Sequence, residues 1–362
     1  MIDLIADLTY IAAPMVNQSD APFRLLTRRY GATLTYTQML DSHRLLNDLD
    51  YFHFHLRDLQ STHLDWDAYT RPVVVQLCGN DPQVVVSAAR RVQSYCDGID
   101  LNLGCPQEHA SEGHFGGYLL SKKDWPLVDA IVSAMAHSLT IPSSAKCRLC
   151  PSANTTDFGR LLEHAGASWV TLHARHVSAT RRRQGAADLD AIRELKHALA
   201  IPVISNGNVR TFSDVQQNLA YTCADGVMVG ETLLGNPCLF SGEVVRDPVL
   251  MALDYLDMCE RLGDVVTLKT MQAHVRYMIK FQCARRPWYS KFRLALDACQ
   301  DVGDIKGLLH RQVRRWRGKA GRLVDVGAPE GHGSERETSG DVDLEDLGDI
   351  LDRWGLDDGS LH

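Results

Sequence analysis

The stretch DLNLGCPQ at 100–107 closes an apolar run with turn-forming residues and sets an amide, Asn102, three residues before a thiol, Cys105. A cysteine of ordinary pKa, about 8.5, is mostly the neutral thiol at pH 7, which suits it to give up a proton rather than to attack as a thiolate. Other short apolar runs also end in reactive or polar groups: Pro14 and Met15, Gln76, Lys146 and Arg148, His173 and Arg175, Asn206-Gly207-Asn208, and Gly230 with Glu231. Half-buried polar groups at nearly every strand end cost free energy, so this rim reads as a site and not as scaffolding.

The elements that must carry these residues follow from periodicity. Eight runs, IAAPM at 11, LTYTQML at 34, PVVVQLCG at 72, GIDLNLGCP at 98, IPSSAKCRL at 141, WVTLHAR at 169, PVISNGN at 202 and GVMVG at 226, alternate with segments of helical spacing. Several of those segments, such as the one from Asp81 and the one from Asp188, open with an Asp cap. Strands alternating with helices over about 230 residues predict a parallel (β/α)8 TIM barrel, whose chemistry sits at the C-terminal ends of the strands. After Phe240 the strands stop and four amphipathic helical stretches follow. The expected organisation is a catalytic barrel over 1–245, a basic helical domain over 246–322 and a disordered acidic tail over 323–362.

Charge supports that division. The net −7 is the sum of +11 over 269–322, −10 over 323–362 and −8 over 1–268. A basic module between an acidic body and an acidic tail points to a polyanionic partner. Ten cysteines scattered over 362 residues do not form a disulfide framework, and Cys147 with Cys150 lacks the second pair or the histidines that a zinc site needs, so no metal is expected. No apolar run reaches membrane-spanning length and MIDLIADLTY lacks a secretory signal's basic flank, which predicts an intracellular protein, cytoplasmic or also nuclear.

Taken together, APM at 12, QLCGNDP, DLNLGCPQ, AKCRL, TLHAR, ISNGNV and DGVMVGETLLGNP resemble the tRNA-dihydrouridine synthases over roughly 10–245, with NLGCP the most specific motif. GCPQ followed by GHFGGYL is similar to the eukaryotic subgroup acting at D-loop positions sixteen and seventeen. The resemblance implies FMN as cofactor, NADPH or NADH as reductant and tRNA as substrate, with the C5=C6 bond of uridine reduced to dihydrouridine. It makes Cys105 the acid that protonates C5 after hydride reaches C6, and Asn102 the amide that positions the two rings. Pro14, Met15 and Val16 are implied as backbone against the flavin, Gln76 as an amide to its pyrimidine part, Lys146 as a cation beside its electron-rich edge and His173 as a neutral donor. Asn206, Gly207, Asn208 and Gly230 are implied at the phosphate. Glu231 departs from the arginine common there, so backbone amides and no salt bridge are expected from that position.

Arg148 and Arg175, with Arg181, Arg182 and Arg183 in the next loop, are expected to touch uracil carbonyls or phosphates. Flipping a stacked uridine costs a few kcal/mol, which backbone contacts elsewhere can offset. Arg276 and Lys280, on a helix shared with His274, and the run Arg311, Arg314, Arg315, Arg317 are expected to make those contacts. The protein is expected to act as a monomer. Two rival readings remain: an FMN-dependent barrel oxidoreductase acting on a small pyrimidine-like substrate, and a catalytically silent RNA-binding protein.

Overall fold

The computed structural model describes residues 4–60, 71–151, 154–178, 186–242 and 245–317. Eight parallel strands, β1 (Tyr10–Ala12), β2 (Leu34–Asp41), β3 (Val73–Cys78), β4 (Gly98–Leu103), β5 (Ser143–Arg148), β6 (Val170–His173), β7 (Val203–Asn206) and β8 (Gly226–Val229), close into a barrel in chain order. Six fall within the runs read from the sequence, and β1 and β2 overrun theirs by one residue, Tyr10 and Asp41. The strands are buried on both faces, which is why β3, VVVQLC, reads as a continuous apolar run and not as an alternation.

Local chemistry fixes where the helices begin. Asp81 accepts from the backbone N–H groups of Gln83 (2.8 Å) and Val84 (3.0 Å) with Pro82 in the first turn, and Asp188 accepts from Ala191 N (3.1 Å). The caps set where each of these helices begins, and the residues between strand end and cap are the rim.

The barrel interior is layered. At its floor Ile11, Leu34, Tyr36, Val74, Trp169, Ile204 and Met228 form one apolar cluster, with Trp169 Nε1 donating to Tyr36 Oη over 3.0 Å. Truncating Trp169 to Ala would cost about 3–5 kcal/mol. Above the floor, register pairs Gln76 with Asp100, Asp100 with Ser144, Asn102 with Lys146 and Arg148 with His173, so polar side chains stack toward the open end.

Beyond β8 the described residues are helical, with main helices Pro248–Leu262, Leu268–Cys283, Tyr289–Asp297 and Val302–Gly307 and a final pair of turns ending at Trp316. These helices share a hydrophobic cluster with the barrel. Met251, Tyr255, Val275, Met278, Phe292 and Leu309 pack in the same group as Ala12, Phe23, Val229 and Leu233. No described helix is long and apolar enough to cross a membrane.

Candidate active site

Cys105 sits in the loop after β4, 9% exposed, and its placement is set by Asn102. Asn102 Oδ1 accepts from the backbone N–H of Gly104 (3.0 Å) and of Cys105 (2.9 Å), so the strand end curls around one amide oxygen. Asn102 Nδ2 donates to Gln76 Oε1 over 2.8 Å, and Gln76 Nε2 donates to Asp100 Oδ2 over 2.8 Å. Both amides expected to face the ligands are thus already engaged inside the protein, and each retains one N–H for a bound group. Burial raises the Cys105 thiol above its ordinary value, with the Gln107 backbone N–H and then Arg148 and Lys146 only partly opposing it. At neutral pH this is a thiol carrying its proton.

Lys146 lies beside Asn102 on the inner face of β5. Burial, and next the Arg148 guanidinium, lower it to about 8, while Asp100 partly restores it. Lys146 forms no ion pair among the described residues. An ammonium held in the barrel without a paired carboxylate is costly unless an anion completes the site, which is the property expected of a lysine that faces the electron-rich edge of a flavin.

His173 ends β6 within this cluster. Burial, followed by Lys146, Arg148 and Arg175, holds its imidazole well below the ordinary histidine range, so it is neutral. Arg175 Nη1 can only donate, and it lies 3.1 Å from His173 Nε2. The imidazole proton is therefore on Nδ1, available to a ligand. Arg148 donates to the His176 carbonyl over 3.0 Å, which ties it to the β6 loop.

Loops after β1, β7 and β8 form the other wall. Pro14, Met15 and Val16 are half-buried, and Ser19 Oγ accepts from Met15 N (2.9 Å) while donating to the Ala13 carbonyl (3.1 Å), which shapes the turn. Met15 Sδ lies 3.5 Å from the point where a Cβ on Gly230 would stand. Asn206 Nδ2 donates to the Met228 carbonyl over 2.8 Å, locking β7 to β8. Gly207, at φ +134, and Asn208, at φ 57, turn the backbone through the left-handed region. Asn208 spends its side chain on Ala187, accepting from its N–H at 2.7 Å and donating to its carbonyl at 2.8 Å, and also accepts from Arg175 at 3.3 Å. Glu231 is exposed and its charge is felt by Arg148 and Tyr277. An ammonium without a paired acid, a neutral imidazole with a free N–H and an apolar ledge at Met15 fit a flavin.

The helical module departs from expectation. Arg276 and Lys280, expected to reach phosphates, are each only 7% exposed, and Arg276 is paired with Asp297. Their helix, Leu268–Cys283, is wedged against the barrel, so Arg276 and Lys280 turn inward and their aliphatic stems pack. His274 is fully buried, with Nε2 2.8 Å from Asp20 Oδ2. Arg317 is held by Asp247 at 2.8 Å. Arg246, Arg261, Lys269, Arg285, Arg286, Lys291, Arg293, Arg311, Arg314, Arg315 and Arg317 are exposed cations of this module. Arg181, Arg182 and Arg183 lie outside the described residues, as does the acidic tail.

Asp100 is absent from the residues singled out by sequence. It is fully buried at the centre of the site, and burial raises its carboxyl to about 6 against the opposing hydrogen bonds from Ser144 and Gln76. The signal available was its spacing: in a strand whose Asn102 faces inward, the residue two before it faces inward as well. All ten cysteines are free, and no metal-binding cluster occurs among the described residues.

Residues 11–325 match the model of the family described as Dihydrouridine synthase (Dus). The chain is 38% identical over 252 residues to the mouse protein named tRNA-dihydrouridine(16/17) synthase NAD(P)(+)-like, covering 69% of this chain and 51% of that protein. It is 35% identical over 244 residues to the Saccharomyces cerevisiae tRNA-dihydrouridine(16/17) synthase NAD(P)(+), covering 67% and 56% respectively. The chain thus spans about half the length of these curated relatives. Among solved structures, histamine dehydrogenase from Rhizobium sp. 4-9 is similar with a TM-score of 0.51 at 13% identity, over 69% of this chain and 48% of that one, a likeness of fold.

Proposed function

This chain belongs to the dihydrouridine synthase family, and on that premise we propose that it reduces the C5=C6 bond of uridine to dihydrouridine in the D-loop of tRNA, at position sixteen or seventeen. The observation that carries the reading is a thiol kept protonated by burial, anchored by Asn102 to a barrel rim where Lys146 has no paired acid. Reduced FMN, when bound and recharged by NADPH or NADH, supplies the hydride to C6.

The residues of this chain do the rest. Hydride addition at C6 pushes electron density toward C5 and the C4 carbonyl, and Cys105 Sγ gives its proton to C5 as that charge develops. Gln107 Oε1, 3.8 Å from Cys105 Sγ, is placed to orient the thiol proton. Asn102 and Gln76 hold the loop and keep one N–H each for the stacked rings, an arrangement in which fixed geometry is worth several orders of magnitude in rate. Lys146 would hold the anionic edge of the flavin and His173 would donate from Nδ1, while the turn at Gly207 and the backbone at Gly230 would receive its phosphate. Arg148 and Arg175 would face the uracil carbonyls. The exposed cations of the helical module would bear on tRNA phosphates, which the rival small-substrate reading leaves without a partner.

The test is direct. Purified protein loaded with FMN is incubated with NADPH and unmodified tRNA, and dihydrouridine is mapped by position. Dihydrouridine at sixteen or seventeen, together with its loss from the tRNA of cells lacking the protein, supports the proposal. Turnover of free uridine or a small pyrimidine, with tRNA untouched, favours the rival oxidoreductase, and protein that takes up no flavin favours the silent RNA-binding reading.

A further inference from the structure

We propose that Asp100 is a positioning residue whose buried carboxylate, through Gln76 and Asn102, dictates which way the two amides face and so where the Cys105 thiol stands; this rests on Cys105 being the proton donor. Asp100 touches neither the thiol nor the open mouth of the barrel. It is fully buried, with Oδ1 accepting from Ser144 Oγ at 2.6 Å and Oδ2 accepting from Gln76 Nε2 at 2.8 Å.

The direction of each later hydrogen bond follows from the first. An ionised carboxylate only accepts, so Gln76 must turn its NH2 toward Asp100 and its oxygen away. That oxygen then requires a donor, which fixes Asn102 with Nδ2 facing Gln76 at 2.8 Å. Asn102 Oδ1 is left facing the loop, where it gathers the Gly104 and Cys105 amides at 3.0 and 2.9 Å. Were Gln76 reversed, its oxygen would face a carboxylate oxygen and its NH2 would face that of Asn102. Two unfavourable contacts would replace two good ones, and the loop would lose its acceptor. An amide side chain alone has no such preference, because its two ends are nearly the same shape.

The premise that Asp100 is ionised at neutral pH agrees with a carboxyl raised by burial only to about 6, with Ser144 and Gln76 hydrogen-bonding to it and the Lys146 ammonium nearby. A buried charge is seldom kept for stability alone, since apolar residues of like volume usually do as well. Its retention here agrees with a role in setting orientation.

The test is a double-mutant cycle in the FMN-loaded protein with Asp100→Leu, Gln76→Leu and the pair, read by three measurements. The first is the rate of uridine reduction in tRNA, the second is flavin reduction by NADPH, and the third is the rate at which iodoacetamide alkylates Cys105, followed by peptide mass spectrometry. The relay predicts that Asp100→Leu lowers uridine reduction about 10- to 100-fold and changes Cys105 alkylation more than threefold. Flavin reduction by Asp100→Leu should fall less than uridine reduction does, and the pair should cost no more than the larger single change. Additive losses, or Asp100→Leu with both Cys105 alkylation and uridine reduction within twofold of the parent, would overturn it. If Asp100→Leu does not fold, Gln76→Leu and the pair, which buries no unpaired charge, carry the same comparison. Cys105→Ala run alongside separates the two claims: if it retains full uridine reduction, the proton-donor reading has failed, whereas a large loss there beside an inert Asp100→Leu means the relay has.

Discussion

His274 Nε2 lies 2.8 Å from Asp20 Oδ2, joining the second helix of the helical module to the residue that caps the first helix of the barrel. The ring also stacks on Phe23 at 4.7 Å and packs against Tyr255 at 4.6 Å, whose hydroxyl reaches both Asp20 oxygens at 3.4 Å. Asp20 follows directly on the turn that carries Met15 and Ser19, so the clamp ties the module to one wall of the site. We expect His274→Ala to lower the unfolding free energy by about 2–4 kcal/mol, combining lost packing with an unmet carboxylate. Urea unfolding of the two proteins measures this, and a change below about 0.5 kcal/mol would show that the clamp is not used.

Cys105→Ala should retain flavin and bind tRNA near normally while uridine reduction falls about 10²- to 10⁴-fold, the usual worth of a general acid. Because burial raises the thiol above its ordinary value, the proton-bearing form persists below that raised pKa and is lost only as pH climbs through it. The rate of single-turnover uridine reduction should therefore hold from pH 7 to 8.5 and decline only in stronger alkali. A decline beginning near neutrality would assign the step to a different acid.

Lys146 gives a prediction of opposite sign for stability and for function. Its folded pKa, lowered to about 8 from 10.5, means the folded flavin-free protein binds fewer protons than the unfolded chain between those values, so Lys146 makes stability rise as pH goes from 8 to 10.5. Below pH 8 the buried charge costs up to about 3 kcal/mol. Lys146→Met should thus raise the melting temperature of flavin-free protein at pH 7, remove the alkaline rise and weaken FMN retention. Calorimetry across pH 7–10.5 and a flavin titration decide it; a variant that melts lower and still holds FMN tightly would refute the assignment.

The barrel was legible because each strand is an apolar run bounded by turn residues, and several helices announce themselves by an Asp cap just before their apolar face. The rim residues were legible for the same reason, since a strand end can be located to within a residue. What could not be read was direction. Gln76 and Asn102 were placed correctly in the chain, but their partners lie on neighbouring strands, and only the register brings Asp100 beside Gln76. Asp100 itself looks like any strand acid until the barrel closes over it. Arg276 and Lys280 misled because Leu268–Cys283 is buried on most of its circumference, including Gln272, Val275, Tyr277 and Ile279, so a basic residue on it need not face water.

That correction moves the expected tRNA contacts to the exposed cations at the far end of the module. Reversing Arg285, Arg286, Arg311, Arg314 and Arg315 together should raise the KM for tRNA and flatten its salt dependence, each lost phosphate contact removing about 0.7–0.9 from the log–log slope. Flavin reduction by NADPH should not change, because none of these residues lies at the barrel rim. Arg276→Glu should behave differently: placed opposite Asp297 it sets two carboxylates together, so it should lower stability while leaving the slope of whatever protein remains folded. The −10 charge of residues 323–362 would compete with RNA for the same cations, so deleting them should tighten tRNA binding at low salt and matter little at 1 M, where the Debye length is about 3 Å. Titrations of tRNA at several salt concentrations compare the four proteins. An unchanged slope after the fivefold reversal would move recognition to the barrel mouth, where Arg148 and Arg175 supply positive charge.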